Sequence, residues 1–527
     1  MKNVIRVVAR PAVLALLVAS TLGFSNTSMA AGKKVWITVG DEAYSHLQAL
    51  APSATATASK VINNGSTGLV KQEKVHLVQV DEALLPAFSE SLHSKSHRCG
   101  GYVYHPTQAA GQTALNQTTV APSLAAVRPS YTLDNATAVN AALPLMAASN
   151  IAQTITDLST GFKNRYYTTS GGTGASTWLL NKWQTMATSA GRSDISVAQF
   201  THPSWAQKSV ILTINGTDNA SEVVVIGGHL DSINSGGTSE TTLAPGADDD
   251  ASGIASMTEA YRAMLASGFK PRRTIKFMAY AAEEVGLRGS AEIAANFKAN
   301  NVKVVGVMQL DMTNFKGSAN DIYIFTDYTD SAQNTFVENL IKTYQPTLTI
   351  GRDVCNYGCS DHASWTSNGF YASMPFESSF AGDNKNIHTV NDTFANMGSQ
   401  ALHALKFSKL AASFAIELGS DGPGVLPPAD RVEKFTGSLA KSASKSFGPF
   451  KVGAGGAIKA STTGTGDMDL YVRKTSVPTT TTYTCKSAGS TATETCSVTY
   501  TANGDAYVLV YGYSAGTYNL TVSYRPQ

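Results

Sequence analysis

Charged residues are scarce in this 527-residue chain, at 15% of the whole, and neither sign is in excess. The formal charge is +2, but Lys2, Arg6 and Arg10 lie in the first thirty residues, and without them 37 basic residues face 38 acidic ones. That balance offers no electrostatic footprint for nucleic acid, which is not expected as a partner. Long hydrophobic runs are lacking too. Beyond the first thirty residues no segment approaches the roughly eighteen unbroken apolar residues of a membrane helix, so no membrane span is expected. Cysteine is sparse and odd in number: Cys99, Cys355, Cys359, Cys485 and Cys496 make two close pairs with one left over.

The first thirty residues are of another kind. Three cations precede the apolar run "PAVLALLVASTLGF", and small residues at Ser28 and Ala30 follow it. This is the pattern of a secretory signal peptide, 1–30, which makes disulfides permissible and the extracellular space the expected location. Residues 31–137 alternate strand-like and helix-like stretches and end in a polar Ala/Thr-rich segment. Between a signal peptide and a larger domain, such a small α/β module reads as a propeptide that assists folding or blocks a site.

Residues 138–420 carry short apolar runs, "EVVVIGGHLDS", "RTIKFMAYAAEE", "VKVVGVMQLDMT" and "FYASMPFESS", separated by helical stretches. Continuous rather than alternating apolar runs are those of buried strands, so an α/β domain with a central, mostly parallel sheet flanked by helices is expected. A Gly/Pro linker, 421–433, leads to residues 434–527, whose alternating Thr, Ser and Tyr patterns predict a small β-sandwich. Cys485 and Cys496 lie on adjacent strand-like runs of that sandwich, and a disulfide between them is the plain reading.

The string "PGADDDASG", 245–253, concentrates negative charge before a helix whose apolar positions Ile254, Met257, Tyr261, Met264 and Leu265 follow helical spacing. One aspartate suffices as an N-cap. Three adjacent carboxylates repel one another unless a cation or a hydrogen-bond network compensates them. In an open α/β sheet, ligands bind beyond the carboxyl ends of the strands. His229, the pair Glu283 and Glu284, and Asp311 each follow an apolar run, while His388 lies in the loop "NKNIHTVNDT". Taken singly, these are a core histidine, an acidic first turn and a turn former. Together they form a cysteine-free set of imidazoles and carboxylates suited to zinc or a similar divalent metal, with more groups than one tetrahedral site needs. Two metals sharing one of the three aspartates account for the surplus. One glutamate of the pair then remains as a proton shuttle.

The strings "GGHLDS", "PGADDDASG", "MAYAAEEVGLRGS", "LDMTNFKGS", "CSDHASW" and "MPFESSF…IHT" resemble the zinc-dependent bacterial leucyl aminopeptidases of metallopeptidase clan MH, across about 138–420. "GDMDLYV" and the final "YNLTVSY" resemble the bacterial pre-peptidase C-terminal domain. The first resemblance implies a zinc exopeptidase fold, secretion with an N-terminal propeptide, and two zinc ions. It implies that His229 and Asp311 hold one ion, that Glu284 and His388 hold the other, and that Asp249 bridges them. Glu283 is then the general base, Asp231 the carboxylate that orients the His229 imidazole, and the Asp249–Asp250 peptide cis. Cys355 and Cys359 frame "CNYGC". A Cys-x3-Cys metal site is conceivable, but the domain has no second cysteine pair to complete it. The resemblance implies a disulfide there, with Tyr357 between the two cysteines either helping to stabilise an oxyanion or serving as an ordinary loop tyrosine.

Met312, Phe325, Met374, Phe376, Phe380 and Ile387 are the implied apolar substrate pocket, although any of them could be plain core. Asp383 stands where relatives carry a tyrosine, and Phe325 where they carry a smaller aliphatic residue. Both departures bear on side-chain preference and leave the catalytic assignment intact. The expected activity is removal of an apolar N-terminal residue, leucine above others, from peptides and proteins. The reaction is attack of a metal-bridged water assisted by Glu283, with the substrate's free α-amine held near the metals. The enzyme is expected to act as a monomer, with its own propeptide as inhibitor or folding aid. Another clan MH exopeptidase, a carboxypeptidase or a dipeptidase, is the alternative that "PGADDDASG" disfavours. A non-catalytic binding protein on the same scaffold is disfavoured by the completeness of the ligand set.

Overall fold

The computed structural model of the chain describes residues 33–64, 71–96, 101–116, 128–355, 358–420, 431–453, 456–500 and 502–526. Residues 1–30, expected to be a signal peptide, Cys99, Tyr357 and most of the Gly/Pro linker lie outside the described residues.

The N-terminal module is a four-stranded antiparallel sheet in the order β2-β3-β1-β4, built from β1 (Lys34–Gly40), β2 (Ala56–Asn64), β3 (Lys71–Asp81) and β4 (Tyr102–His105). Val35, Ile37 and Val39 alternate along β1 and point to one core, where Leu85, Phe88 and Leu92 of the helix Leu85–Ser96 meet them at helical spacing. The last residues of the segment 31–137 lie against the next domain. Arg128 forms a two-pronged ion pair with Asp330 at 2.9 and 2.7 Å, and Glu417 Oε2 accepts the backbone N–H groups of Asp134 and Asn135.

The central domain holds an eight-stranded sheet. Its strands are β5 (Ile195–Phe200), β6 (Ser209–Ile214), β7 (Asn219–His229), β8 (Arg273–Tyr280), β9 (Lys303–Gln309), β10 (Ile322–Phe325), β11 (Ile350–Asp353) and β12 (Ala372–Phe376), in the order β11-β10-β12-β9-β7-β8-β6-β5. The run β12-β9-β7-β8 is parallel. The pairs β5–β6, β6–β8 and β10–β12 are antiparallel, so the expected parallel arrangement holds through the centre and gives way toward the edges. Both faces of β7 are covered, which is why "VVVIGGH" is apolar without alternation. The helix Ala251–Ala266 is buried along nearly its whole length between the sheet and the helices Ala148–Gly161 and Ala404–Ser420.

The C-terminal domain stacks two four-stranded antiparallel sheets over a core that includes Val452, Leu470, Val508, Leu520 and Val522. This is the expected sandwich, and Cys485 and Cys496 are disulfide-bonded within it.

Candidate metal centre

Three adjacent parallel strands deliver the first candidate ligands. His229 is the last residue of β7, Glu283 and Glu284 lie in the turn after β8, and Asp311 lies just past β9. Asp249 stands in the connection between β7 and the helix Ala251–Ala266, and His388 in the loop after β12. All six side chains are buried at the carboxyl edge of the sheet. Sequence separations of 20 residues and more collapse into contact there because the strands end side by side.

Asp249 sits between the two imidazoles. His229 Nε2 lies 2.8 Å from its Oδ1, and His388 Nε2 lies 2.8 Å from its Oδ2. Each imidazole has a second carboxylate close by: Asp311 Oδ1 at 3.4 Å from His229 Nε2, and Glu284 Oε2 at 3.3 Å from His388 Nε2. A carboxylate that presents one oxygen to each of two His–carboxylate pairs has the geometry of a bridge. His229 Nδ1 faces Asp231 Oδ1 at 3.6 Å, and the two oxygens of Asp231 accept the backbone N–H groups of Glu283 and Glu284 at 3.0 and 3.1 Å. One carboxylate thereby ties the first histidine to the glutamate pair.

The other two aspartates of the cluster have separate tasks. Asp250 Oδ1 accepts from Gly253 N at 2.8 Å, capping the helix, and from Met312 N at 3.1 Å, while its Oδ2 accepts from His229 N at 2.9 Å. Donor atoms of His229, Asp250 and Asp311 also lie within 4.8 Å of one another. Since both oxygens of Asp250 are engaged by backbone amides, Asp249 is the better ligand. Asp248 accepts from Asn314 N and from Asn384 Nδ2, fixing the loops that flank the site. Gly228 allows this approach: a Cβ there would stand 2.9 Å from Asp250 Oδ2 and 2.8 Å from Leu310 O. The Asp249–Asp250 peptide is cis.

The electrostatics are those of crowded carboxylates. Burial drives Glu283 well above the usual carboxylate range and, with the Asp249 charge, brings Glu284 to about 7. Burial opposes ionisation of Asp249, yet its bonds to His229 and His388 hold it well below the usual range. Burial likewise opposes charging of His388, but the Glu284 and Asp249 carboxylates lift it to about 10. Both oxygens of Glu283 and Oδ1 of Asp311 are buried without a protein hydrogen-bond partner. Excess negative charge, orphaned carboxylate oxygens and a mixed imidazole–carboxylate donor set fit a divalent cation of the zinc type.

Beside this cluster, Met312, Phe325, Met374, Phe376, Phe380 and Ile387 pack in one apolar group with the Cys355–Cys359 disulfide. The rings of Phe325 and Phe376 lie 4.7 Å apart. Two carboxylates escaped the sequence reading. Asp392 accepts the backbone N–H groups of Asp248 and Asp249, and Asp361, raised to about 7 by burial, accepts from Gln309 Nε2. Asp392 lies four residues after His388, in the same loop, and that proximity was the available signal.

Comparison with known proteins agrees with the geometry. Residues 209–413 match peptidase family M28, and residues 449–512 match the bacterial pre-peptidase C-terminal domain. The chain is 38% identical over 312 residues to leucine aminopeptidase 1 of Arthroderma otae, covering 57% of this chain and 82% of that protein. It is 37% identical over 272 residues to leucine aminopeptidase 1 of Penicillium rubens, covering 49% and 69%. Among solved structures it is similar to the Legionella pneumophila LapA aminopeptidase, at 30% identity and a TM-score of 0.60, covering 74% of this chain and 99% of that one. Since the similarity spans most of these relatives and includes the sheet edge where His229, Asp249 and His388 meet, this chain belongs to peptidase family M28, peptide-bond hydrolases that depend on metal, with a pre-peptidase C-terminal domain behind its catalytic domain.

Proposed function

We propose that this chain is a secreted, monomeric two-zinc aminopeptidase that removes an apolar residue, leucine above others, from the free N-terminus of peptides and proteins. The observation that carries the reading is the Asp249 carboxylate, with one oxygen 2.8 Å from each imidazole and a second carboxylate beside each imidazole. His229 and Asp311 would hold one ion, Glu284 and His388 the other, and Asp249 both. Bound zinc supplies Lewis acidity that activates water and polarises the scissile carbonyl.

The remaining chemistry belongs to the protein. Glu283 is buried, its amide is fixed by Asp231, and its carboxyl is free of protein hydrogen bonds. A carboxyl so placed can take a proton from water and pass it to the departing amine. The apolar group around Phe325 and Phe376 receives the N-terminal side chain. Tyr357, between the two bridged cysteines, is the candidate partner for the developing oxyanion. The names of the relatives, leucine aminopeptidases, support the substrate class. Secretion is supported by the signal-peptide pattern and by two disulfides, and no described helix is long and apolar enough to cross a membrane.

The N-terminal module is read as an inhibitory propeptide. What supports this is its strand β4, which lies against the turn that carries Glu283 and Glu284. Tyr104 N donates to Gly286 O at 3.1 Å, and the Tyr102 ring occupies the space a Cβ on Gly286 would need. Val103 packs on Leu287 and Ala363, and Arg288 Nη1 donates to Glu82 Oε1 at 3.0 Å. The test of the activity is hydrolysis of leucine p-nitroanilide against its N-acetylated form, with the module removed by proteolysis. Cleavage of the free-amine substrate alone is expected; cleavage of neither, with zinc bound, would overturn the aminopeptidase reading.

A further inference from the structure

Arg165 lies in the segment "KNRYY" between the helices Ala148–Gly161 and Ser170–Ser189, 1% exposed. Among the described residues, no carboxylate accepts its hydrogen bonds. Nε donates to Leu230 O at 2.8 Å, Nη1 to Pro245 O at 2.6 Å and more weakly to Leu158 O at 3.4 Å, and Nη2 to Gly246 O at 2.9 Å. Leu230 directly follows His229, and Pro245 and Gly246 open the turn that carries Asp249. One guanidinium therefore joins the backbones of two ligand-bearing loops.

The residues around it continue the connection. Arg165 N donates to Ser232 Oγ at 3.0 Å, and that hydroxyl donates to Ala244 O at 2.9 Å. Lys163 O accepts from Ala244 N, and Asn164 Nδ2 donates to the carbonyls of Ser239 and Thr242. Gly246, at a φ of 54°, is shaped to the clamp: a Cβ there would lie 2.8 Å from Arg165 Nη2 and 2.5 Å from Asp249 O. A rigid planar fork can span both loops at once, which a lysine's single flexible ammonium cannot. The residues that set ligand geometry in metal sites are commonly such outer hydrogen-bonding partners.

We propose that Arg165 is a positioning residue of the metal centre, whose guanidinium holds the His229 loop and the Asp249 loop at the separation at which both side chains bind metal. It touches neither substrate nor metal and acts through the two backbones. The inference rests on the metal-centre reading above. A purely structural arginine would affect melting temperature but leave metal affinity of the folded protein unchanged.

The test is zinc affinity, measured by competition with a chromophoric chelator on the full chain, for wild type, Arg165→Met and Arg165→Lys. Circular dichroism selects the folded fraction. Arg165→Met keeps much of the volume without donors, and Arg165→Lys keeps the charge without the fork, so Lys remains informative if Met does not fold. Zinc binding is expected to weaken by about ten- to a hundred-fold in the folded variants, with kcat, read after proteolytic removal of the N-terminal module, lowered and KM near wild type. Wild-type zinc affinity in a folded variant would overturn the proposal and leave the metal centre standing. Absence of zinc binding in the wild-type chain would overturn both.

Discussion

Asp392 Oδ2 accepts the backbone N–H of Asp249 at 3.1 Å, while its Oδ1 accepts that of Asp248 at 3.0 Å. Asp231 does the same for Glu283 and Glu284 on the other side of the site. Asp249 and the Glu283–Glu284 pair are thus each seated on a buried carboxylate that receives two successive amides. Asp392→Ala removes one seat and leaves two buried N–H groups without partners. Zinc affinity and kcat are expected to fall by about ten- to a hundred-fold, measured by chelator competition and steady-state rates. Wild-type values for both would deny Asp392 any part in holding Asp249.

Glu283→Ala separates proton transfer from metal binding. Glu283 is not one of the residues flanking Asp249 at 2.8 Å, so its loss should leave zinc content intact. Turnover of leucine p-nitroanilide should fall by about a hundred- to ten-thousand-fold. Near-normal turnover would remove it from the role of base.

The bridging role proposed for Asp249 predicts a stoichiometry. Elemental analysis of gently purified protein should find two zinc ions per chain, chelation should abolish activity, and Asp249→Ala should lower the content below two. Retention of a single tight ion by the wild-type chain would contradict the bridge.

Much of this was legible because the candidate ligands sit where strands end. A buried parallel strand reads as a continuous apolar run, so the first polar residue after it marks the sheet edge, and His229, Glu283 with Glu284, and Asp311 all occupy that position. Arg165 was not legible. Its partners are carbonyls 65, 80 and 81 residues away, and a carbonyl leaves no mark in a sequence. The antiparallel edges escaped for a similar reason, since strand direction depends on where a connection goes, and β5–β6 is a hairpin whereas β10 and β12 are joined through β11 and two helices.

Phe325 should shape the substrate preference. Its ring is buried, 4.7 Å from Phe376 and 6.5 Å from Phe380, in the apolar group beside the candidate metal centre. Phe325→Val opens space there, and the ratio of kcat/KM for phenylalanine p-nitroanilide over that for the leucine substrate is expected to rise by about tenfold. An unchanged ratio would make Phe325 plain core.

His105 gives the N-terminal module a pH dependence. It ends β4, is buried, and bonds through Nε2 to Thr38 Oγ1 at 2.9 Å. Burial lowers its pKa from 6.5 to about 4, so the folded module resists a proton that the unfolded chain accepts. Above pH 6.5 both states are neutral and the stability is fully present. As the pH falls from 6.5 toward 4 only the unfolded state takes up the proton, and stability on the order of 3 kcal/mol is lost. Since β4 is the strand seated on the Glu283–Glu284 turn, acidification should loosen that contact. Hydrogen exchange of the Tyr102–His105 amides in the full chain, corrected for intrinsic rates, should show protection falling between pH 7 and pH 4.5. His105→Gln cannot titrate and should flatten the dependence, whereas an equal fall in the variant would place the sensitivity elsewhere in the chain.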